Sequence, residues 1–169
     1  MMTAIEFTVL GTPTPQGSKR PFVRGGRAIL VEERKEGINT WRGDVMRAAQ
    51  MAVERDDIDM LPLFDGPVFV TIEFRFTRPK GHWRTGRNAH LLRDTAPAYP
   101  VGRRDVDKLQ RSTFDALTTI GLWRDDGDVV DVHASKAYAD LARPGATIRI
   151  QTPNHVRAVE PVELAQGVL

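Results

Sequence analysis

Val68, Val70, Ile72, Phe74 and Phe76 alternate strictly with Phe69, Thr71, Glu73, Arg75 and Thr77. A two-residue period of that length predicts a strand with one continuous apolar face, central in a sheet that must be covered on that side. The cover comes from two helical patterns. Trp41, Val45, Ala48, Ala49 and Ala52 recur at helical spacing, which predicts an amphipathic helix over 39–53 with Asn39 or Thr40 as its cap. Val106, Leu109, Thr113, Ala116, Leu117 and Ile120 trace one face of a second helix opening after Asp105, and Gly121 is placed to stop it. Ile5 to Leu10 reads as a first strand running into a Pro/Gly loop, Gly11 to Gly17. Val130, Val132, Ala134 and Tyr138 alternate as a further strand, and Thr147 to Gln151 forms a last short one after the turn at Pro144 and Gly145. The expected fold is α/β (α+β): a single domain over 1–169, a small mixed sheet carrying two principal helices, a long basic loop before the second helix, and a weakly structured tail over 152–169.

The formal net charge of +2 conceals an uneven distribution. Between Arg75 and Arg104 stand Arg78, Lys80, Arg84, Arg87, Arg93 and Arg103, with His82 and His90, against the single acid Asp94. A second basic group, Lys19, Arg20, Arg24 and Arg27, lies near the N-terminus. Charge of this kind is either solvated or tracks a phosphate backbone without base contacts. There is no cysteine, so a metal must be held by oxygen or imidazole, which favours hard cations such as magnesium or manganese. No apolar stretch has the length of a membrane span or the layout of a secretory signal, and the expected location is the cytoplasm.

Three Asp-x-Asp triplets occur: Asp57-Ile-Asp59, Asp105-Val-Asp107 and Asp126-Gly-Asp128. The first sits in a polar loop without basic partners and reads as solvated. Asp105 and Asp107 follow the basic loop and open a helix. Residues two apart on a helix diverge, so both carboxylates can face one ion only if Asp105 belongs to the extended segment before the first turn. Alternatively, Asp105 is a helix N-cap and Asp107 complements the helix dipole. A second acidic cluster, Asp125-Asp126, follows the helix. Whether the sheet brings it beside Asp105 is a structural question that spacing leaves open.

The order Asp105-Val-Asp107-Lys108-Leu-Gln-Arg111, then Phe114-Asp-Ala-Leu117, then Asp125-Asp126-Gly-Asp-Val129-Val130 and Lys136, resembles the signature of the RusA-like Holliday junction resolvases (crossover junction endodeoxyribonucleases). The opening Gly11-Thr-Pro13-Thr-Pro-Gln16-Gly17-Ser-Lys19-Arg-Pro21-Phe22 is similar to the N-terminal loop of phage and prophage members. The resemblance implies a homodimeric, magnesium-dependent enzyme that cuts branched DNA, the four-way junction above all, to leave a 5′-phosphate, with manganese able to substitute. It implies Asp105, Asp107 and Asp126 as metal ligands, Asp125 as an accessory acid and Arg111 as a catalytic cation. DNA contacts are expected from Lys19, Arg20, Arg84, Arg87, Arg103, Arg104, Lys108 and Lys136. Three positions depart from the family pattern: Lys108 replaces Asn, Arg111 replaces Lys, and Asp128 stands where Gln is frequent. Arg111 keeps the charge but cannot give up a proton. Lys136 is expected roughly 30 Å from Asp126 along a straight strand, outside the same metal site. The competing readings are a DNA-binding protein without catalysis and a manganese-dependent nucleotide-sugar transferase, which would have little use for the basic loop.

Overall fold

The computed structural model describes residues 4–17, 19–24, 27–32, 35–58, 61–102, 104–140 and 142–153, with backbone alone for 19–24, 27–32 and 35. Strands β1 (Ala4–Leu10), β4 (Val68–Phe76), β5 (Val129–Tyr138) and β6 (Gly145–Gln151) form one mixed sheet in the order β1-β6-β4-β5. Between β1 and β4 come a separate antiparallel ribbon, β2 (Lys19–Arg24) with β3 (Arg27–Glu32), and helix α1 (Lys35–Arg55). Helix α2 (Val106–Thr119) precedes β5.

β4 is interior, as its alternation requires: it runs antiparallel to β6 and parallel to β5. Its residues Val68, Val70, Ile72, Phe74 and Phe76 are essentially inaccessible to solvent, together with Ile148 and Ile150 of β6 and Ile5, Phe7 and Val9 of β1. The opposite face carries Glu6, Thr8, Thr71, Glu73 and Arg149, all exposed, so the sheet has one packed side and one wet side. Parallel strands need a crossover connection, and the basic loop with α2 supplies it.

α1 begins earlier than its apolar spacing suggests. Lys35 opens it, Ile38 is fully buried, and Asn39 and Thr40 lie inside rather than at the cap, with the Thr40 hydroxyl donating to the Glu36 carbonyl. Glu36 in the first turn suits the helix dipole, whereas Gly37 and the flanking charges blur the pattern. The two helices pack on each other as well as on the sheet: the Trp41 indole N–H donates to Thr113 Oγ1 at 3.3 Å, within the buried core. Arg42 pairs with Asp115 beside that contact. Gly121, at φ +72°, ends α2 as expected, with the Leu122 N–H returning to the Leu117 carbonyl.

β5 forms where its alternation places a strand; it is an edge strand, and Val130 and Val132 remain 60% and 37% exposed. The ladder with β4 slips between Val68 and Phe69, so that Val70 faces Val132 and Phe74 faces Lys136. Among the described residues no helix is long and apolar enough to cross a membrane. Residues 154–169, most of the expected tail, lie outside the described residues.

Candidate active site

Asp105 occupies the N-cap position of α2 in extended backbone, φ −65° and ψ 131°, but its carboxylate makes no capping hydrogen bond. It accepts Lys108 Nζ at 3.0 Å instead. Asp107 follows in the first turn, exposed. The pair therefore has the arrangement that two carboxylates need to face one cation, extended residue first and helical residue second. The hydrogen bond from Lys108 to Asp105, helped by the charges of Asp105 and Asp107 and opposed by slight desolvation, raises the Lys108 ammonium above the ordinary lysine value.

Three other segments converge on this helix end. The N-terminal loop docks there through the Gln16 N–H, which donates to the Lys108 carbonyl at 3.0 Å, while Pro13 and Pro15 are buried beneath it. The Gln16 side-chain oxygen is buried without a hydrogen-bond partner, a feature with no signal in the sequence beyond its place in the loop motif. The C-terminal half of β5 arrives from the other side, where Lys136 Nζ donates to the Arg104 carbonyl at 2.9 Å. The end of β4 is the third: the Arg104 guanidinium stacks 4.3 Å from the centre of the Phe76 ring. Lys136 thus stands far from Asp126 along the strand, as expected, and reaches the backbone of Arg104, the residue before Asp105.

Asp126 lies at the opposite end. It opens the short 3-10 turn Asp126–Asp128, just before β5, and Asp125 caps that turn by accepting the Gly127 N–H at 2.7 Å. α2, of 14 residues, stands between, about 21 Å long at 1.5 Å per residue. Among the described residues no group of three or more His, Asp and Glu side chains comes together to hold a metal. Asp105, Asp107 and Lys108 share one helix end, Lys136 is tied to the backbone of the preceding Arg104, and Asp125, Asp126 and Asp128 belong to the turn beyond the other end of α2. Arg111, one turn beyond Asp107, is exposed, and no ion pair engages it among the described residues.

The long loop is ordered by its own arginines. Arg78, 8% exposed, is bidentate to Asp140 at 2.7 Å on both arms, donates to the Pro97 carbonyl and stacks 3.9 Å from the Tyr138 ring centre. Its hydrogen bond holds the Asp140 carboxyl below the usual aspartate value, against partial burial. Arg84 reaches the Leu92 carbonyl and Asp94, and Arg93 the Trp83 carbonyl, closing the Trp83–Leu92 bridge. Lys80 and Arg87 stay exposed, and later in the same loop Tyr99 and Val101 are 71% and 83% exposed. Lys19 and Arg20 belong to β2, their side chains outside the described residues, as is Arg103. Asp57, at φ +52°, takes the left-handed position that ends α1, where an exposed aspartate is tolerated, and Asp59 lies outside the described residues.

Residues 11–151 match the family described as Endodeoxyribonuclease RusA. The chain belongs to that family. The match embraces the N-terminal loop, the basic loop, α2 and β5, so every element converging on Asp105 lies within it. The chain is 28% identical over 148 residues to YqaN of Bacillus subtilis (strain 168), covering 88% of this chain and 97% of that protein. It is 56% identical over 34 residues to the crossover junction endodeoxyribonucleases RusA of Enterobacteria phage 82 and of Escherichia coli (strain K12), a stretch that covers 20% of this chain and 28% of each of those proteins.

Proposed function

We propose that this RusA-family chain is a magnesium-dependent endodeoxyribonuclease that cuts branched DNA, with four-way junctions as its substrate, and that it works as a homodimer on DNA in the bacterial cytoplasm. The observation that carries the reading is the Asp105–Asp107 pair: two exposed carboxylates at one helix end, the first in extended backbone and uncommitted to capping. Hard oxygen donors of this kind fit magnesium or manganese, and the Lys108 ammonium on Asp105 marks the place where positive charge is welcome.

The separation of Asp126 from that pair is the argument for a second copy. The outer edge of β5 is unpaired among the described residues, and Val130 and Val132 are exposed along it. A two-fold axis near Val132 would run β5 of each copy antiparallel to the other. The Asp126 end of one strand would then stand beside the Lys136 and Asp105 end of its partner, so that each metal site takes Asp105 and Asp107 from one chain and Asp126 of the partner subunit. Two such sites match two symmetric incisions across a junction.

In this assignment the divalent ion, when bound, supplies water activation and charge neutralisation at the phosphate. Water attacks phosphorus and the bond to the 3′ oxygen breaks, leaving a 5′-phosphate and a 3′-hydroxyl. Arg111, one turn past Asp107 and unpaired, contacts the phosphate through charge and leaves proton transfer to water. Asp125 shapes the turn that presents Asp126. Arg87, Arg104, Lys108 and Lys136, with Lys19, Arg20 and Arg103, track the DNA arms, while Arg84 acts mainly by bracing the loop against Asp94.

The test is incubation of the purified protein with a labelled synthetic four-way junction and a matched linear duplex, in magnesium and in chelator. Paired nicks confined to the junction and dependent on magnesium are expected, and the Asp107→Asn variant should bind without cutting. Junction binding by the native chain with no cleavage in any divalent ion would leave a binding protein, and neither binding nor cleavage would remove the nucleic-acid reading.

A further inference from the structure

The first turn of α2 carries a cation of its own. Lys108 Nζ lies 3.0 Å from Asp105 Oδ2, an ion pair three residues apart that needs no tertiary partner. The backbone of Lys108 is fixed twice, by the helix and by the Gln16 N–H on its carbonyl, whereas the ammonium and the carboxylate are each nearly half exposed. The side chain can therefore leave Asp105 without disturbing the fold. An exposed pair of this kind is weak, so a doubly charged ion with oxygen ligands can displace it.

We propose that Lys108 is a tethered competitor for the divalent cation: it holds the Asp105 carboxylate while the site is free, is displaced when metal enters, and then turns to the nearest DNA phosphate. The inference rests on the reading of Asp105 as a metal ligand. Lys108 thereby couples the two events, because its charge becomes available to DNA only once metal has taken its place. Arg111 is a second exposed cation on the same helix, one turn past Asp107 and without an ion pair to Asp105 among the described residues, so a general field effect and a direct competition are separable.

The experiment is a titration of Mn2+ onto the full chain in the absence of DNA, following free Mn2+ by electron paramagnetic resonance, for the native protein and for Lys108→Gln, Lys108→Arg, Arg111→Gln and Asp105→Asn. Lys108→Gln should tighten Mn2+ binding about two- to fivefold, the span that loss of an exposed ion pair allows. Lys108→Arg should bind as the native chain does, Arg111→Gln should tighten it less than Lys108→Gln, and Asp105→Asn should weaken it strongly. Equal tightening by Arg111→Gln and Lys108→Gln, or no tightening by Lys108→Gln while Asp105→Asn still weakens binding, would overturn the competition and leave the metal site standing. Unchanged binding in Asp105→Asn, or no Mn2+ binding by the native chain, would overturn the metal assignment and the competition with it.

Discussion

Lys136 Nζ donates to the Arg104 backbone carbonyl at 2.9 Å across 32 positions of sequence, and so ties the far end of β5 to the residue before Asp105. Because Arg104 also stacks on Phe76, the parallel pair β4–β5 and the start of α2 share one anchor. Replacing Lys136 with Met should keep the fold and lower the cleavage rate about tenfold, the equivalent of one charge-assisted hydrogen bond of roughly 1.4 kcal/mol. Junction cleavage beside thermal unfolding checks this; an unchanged rate would remove Lys136 from the site.

The Arg78 anchor should be structural, holding the loop rather than touching DNA. Arg78→Ala is expected to cost about 2–4 kcal/mol, since it strands Asp140 and the Pro97 carbonyl and empties a buried position. Denaturant unfolding reads this directly, and Arg78→Lys should recover only part because it lacks the bidentate fork.

Asp140 makes that anchor sensitive to acid. Its folded pKa lies below the unfolded value, so its contribution is complete above about pH 4 and disappears as pH falls through the folded value. The gap in melting temperature between the native chain and Asp140→Asn should therefore be widest near neutrality and narrow as the pH falls below the ordinary aspartate value. A gap that stays constant with pH would place the stabilisation elsewhere.

Arg111 should act through charge alone. Arg111→Lys is expected to keep most activity, and Arg111→Gln to weaken junction binding while lowering the slope of log affinity against log salt by about one phosphate contact. Binding measured at several salt concentrations distinguishes this from a folding defect, which would leave the slope intact.

Trp41 and Thr113 connect the two helices inside the core. Thr113→Val preserves the volume but leaves the buried indole N–H without an acceptor, an expected loss of about 1–2 kcal/mol in unfolding experiments with α2 still in place.

Much of this architecture was legible in the residues. The strict alternation of β4 gives its interior place, and the apolar stripe from Val106 to Ile120 with Gly121 gives α2 nearly to the residue. Elsewhere local pattern was a poor guide for physical reasons. The start of α1 is polar and contains Gly37, so burial of Ile38 by tertiary contacts decides it. The β2–β3 ribbon is rich in charge and contains Pro21, which masks its pairing. Val130 and Val132 look like core residues because alternation reports a face and says nothing about whether a partner covers it. At the site, the extended backbone of Asp105 was foreseeable from its position before the helix, but the choice of its carboxylate between capping and Lys108 is set by side-chain geometry in the first turn, which residue types alone leave open. The remoteness of Asp126 follows from the length of α2, and the position of Lys136 beside Arg104 from the direction in which β5 returns along it.

The central claim is a metal site shared between two copies of the chain, and subunit mixing tests it most directly. Asp107→Asn and Asp126→Asn should each be inactive on a four-way junction in magnesium. When the two are co-expressed, about half of the dimers in a random mixture are mixed and one of the two sites in each is intact, so nicking should return at about a quarter of the native site concentration. Mixed dimers as inactive as either parent, beside a native protein that cuts, would contradict the shared site.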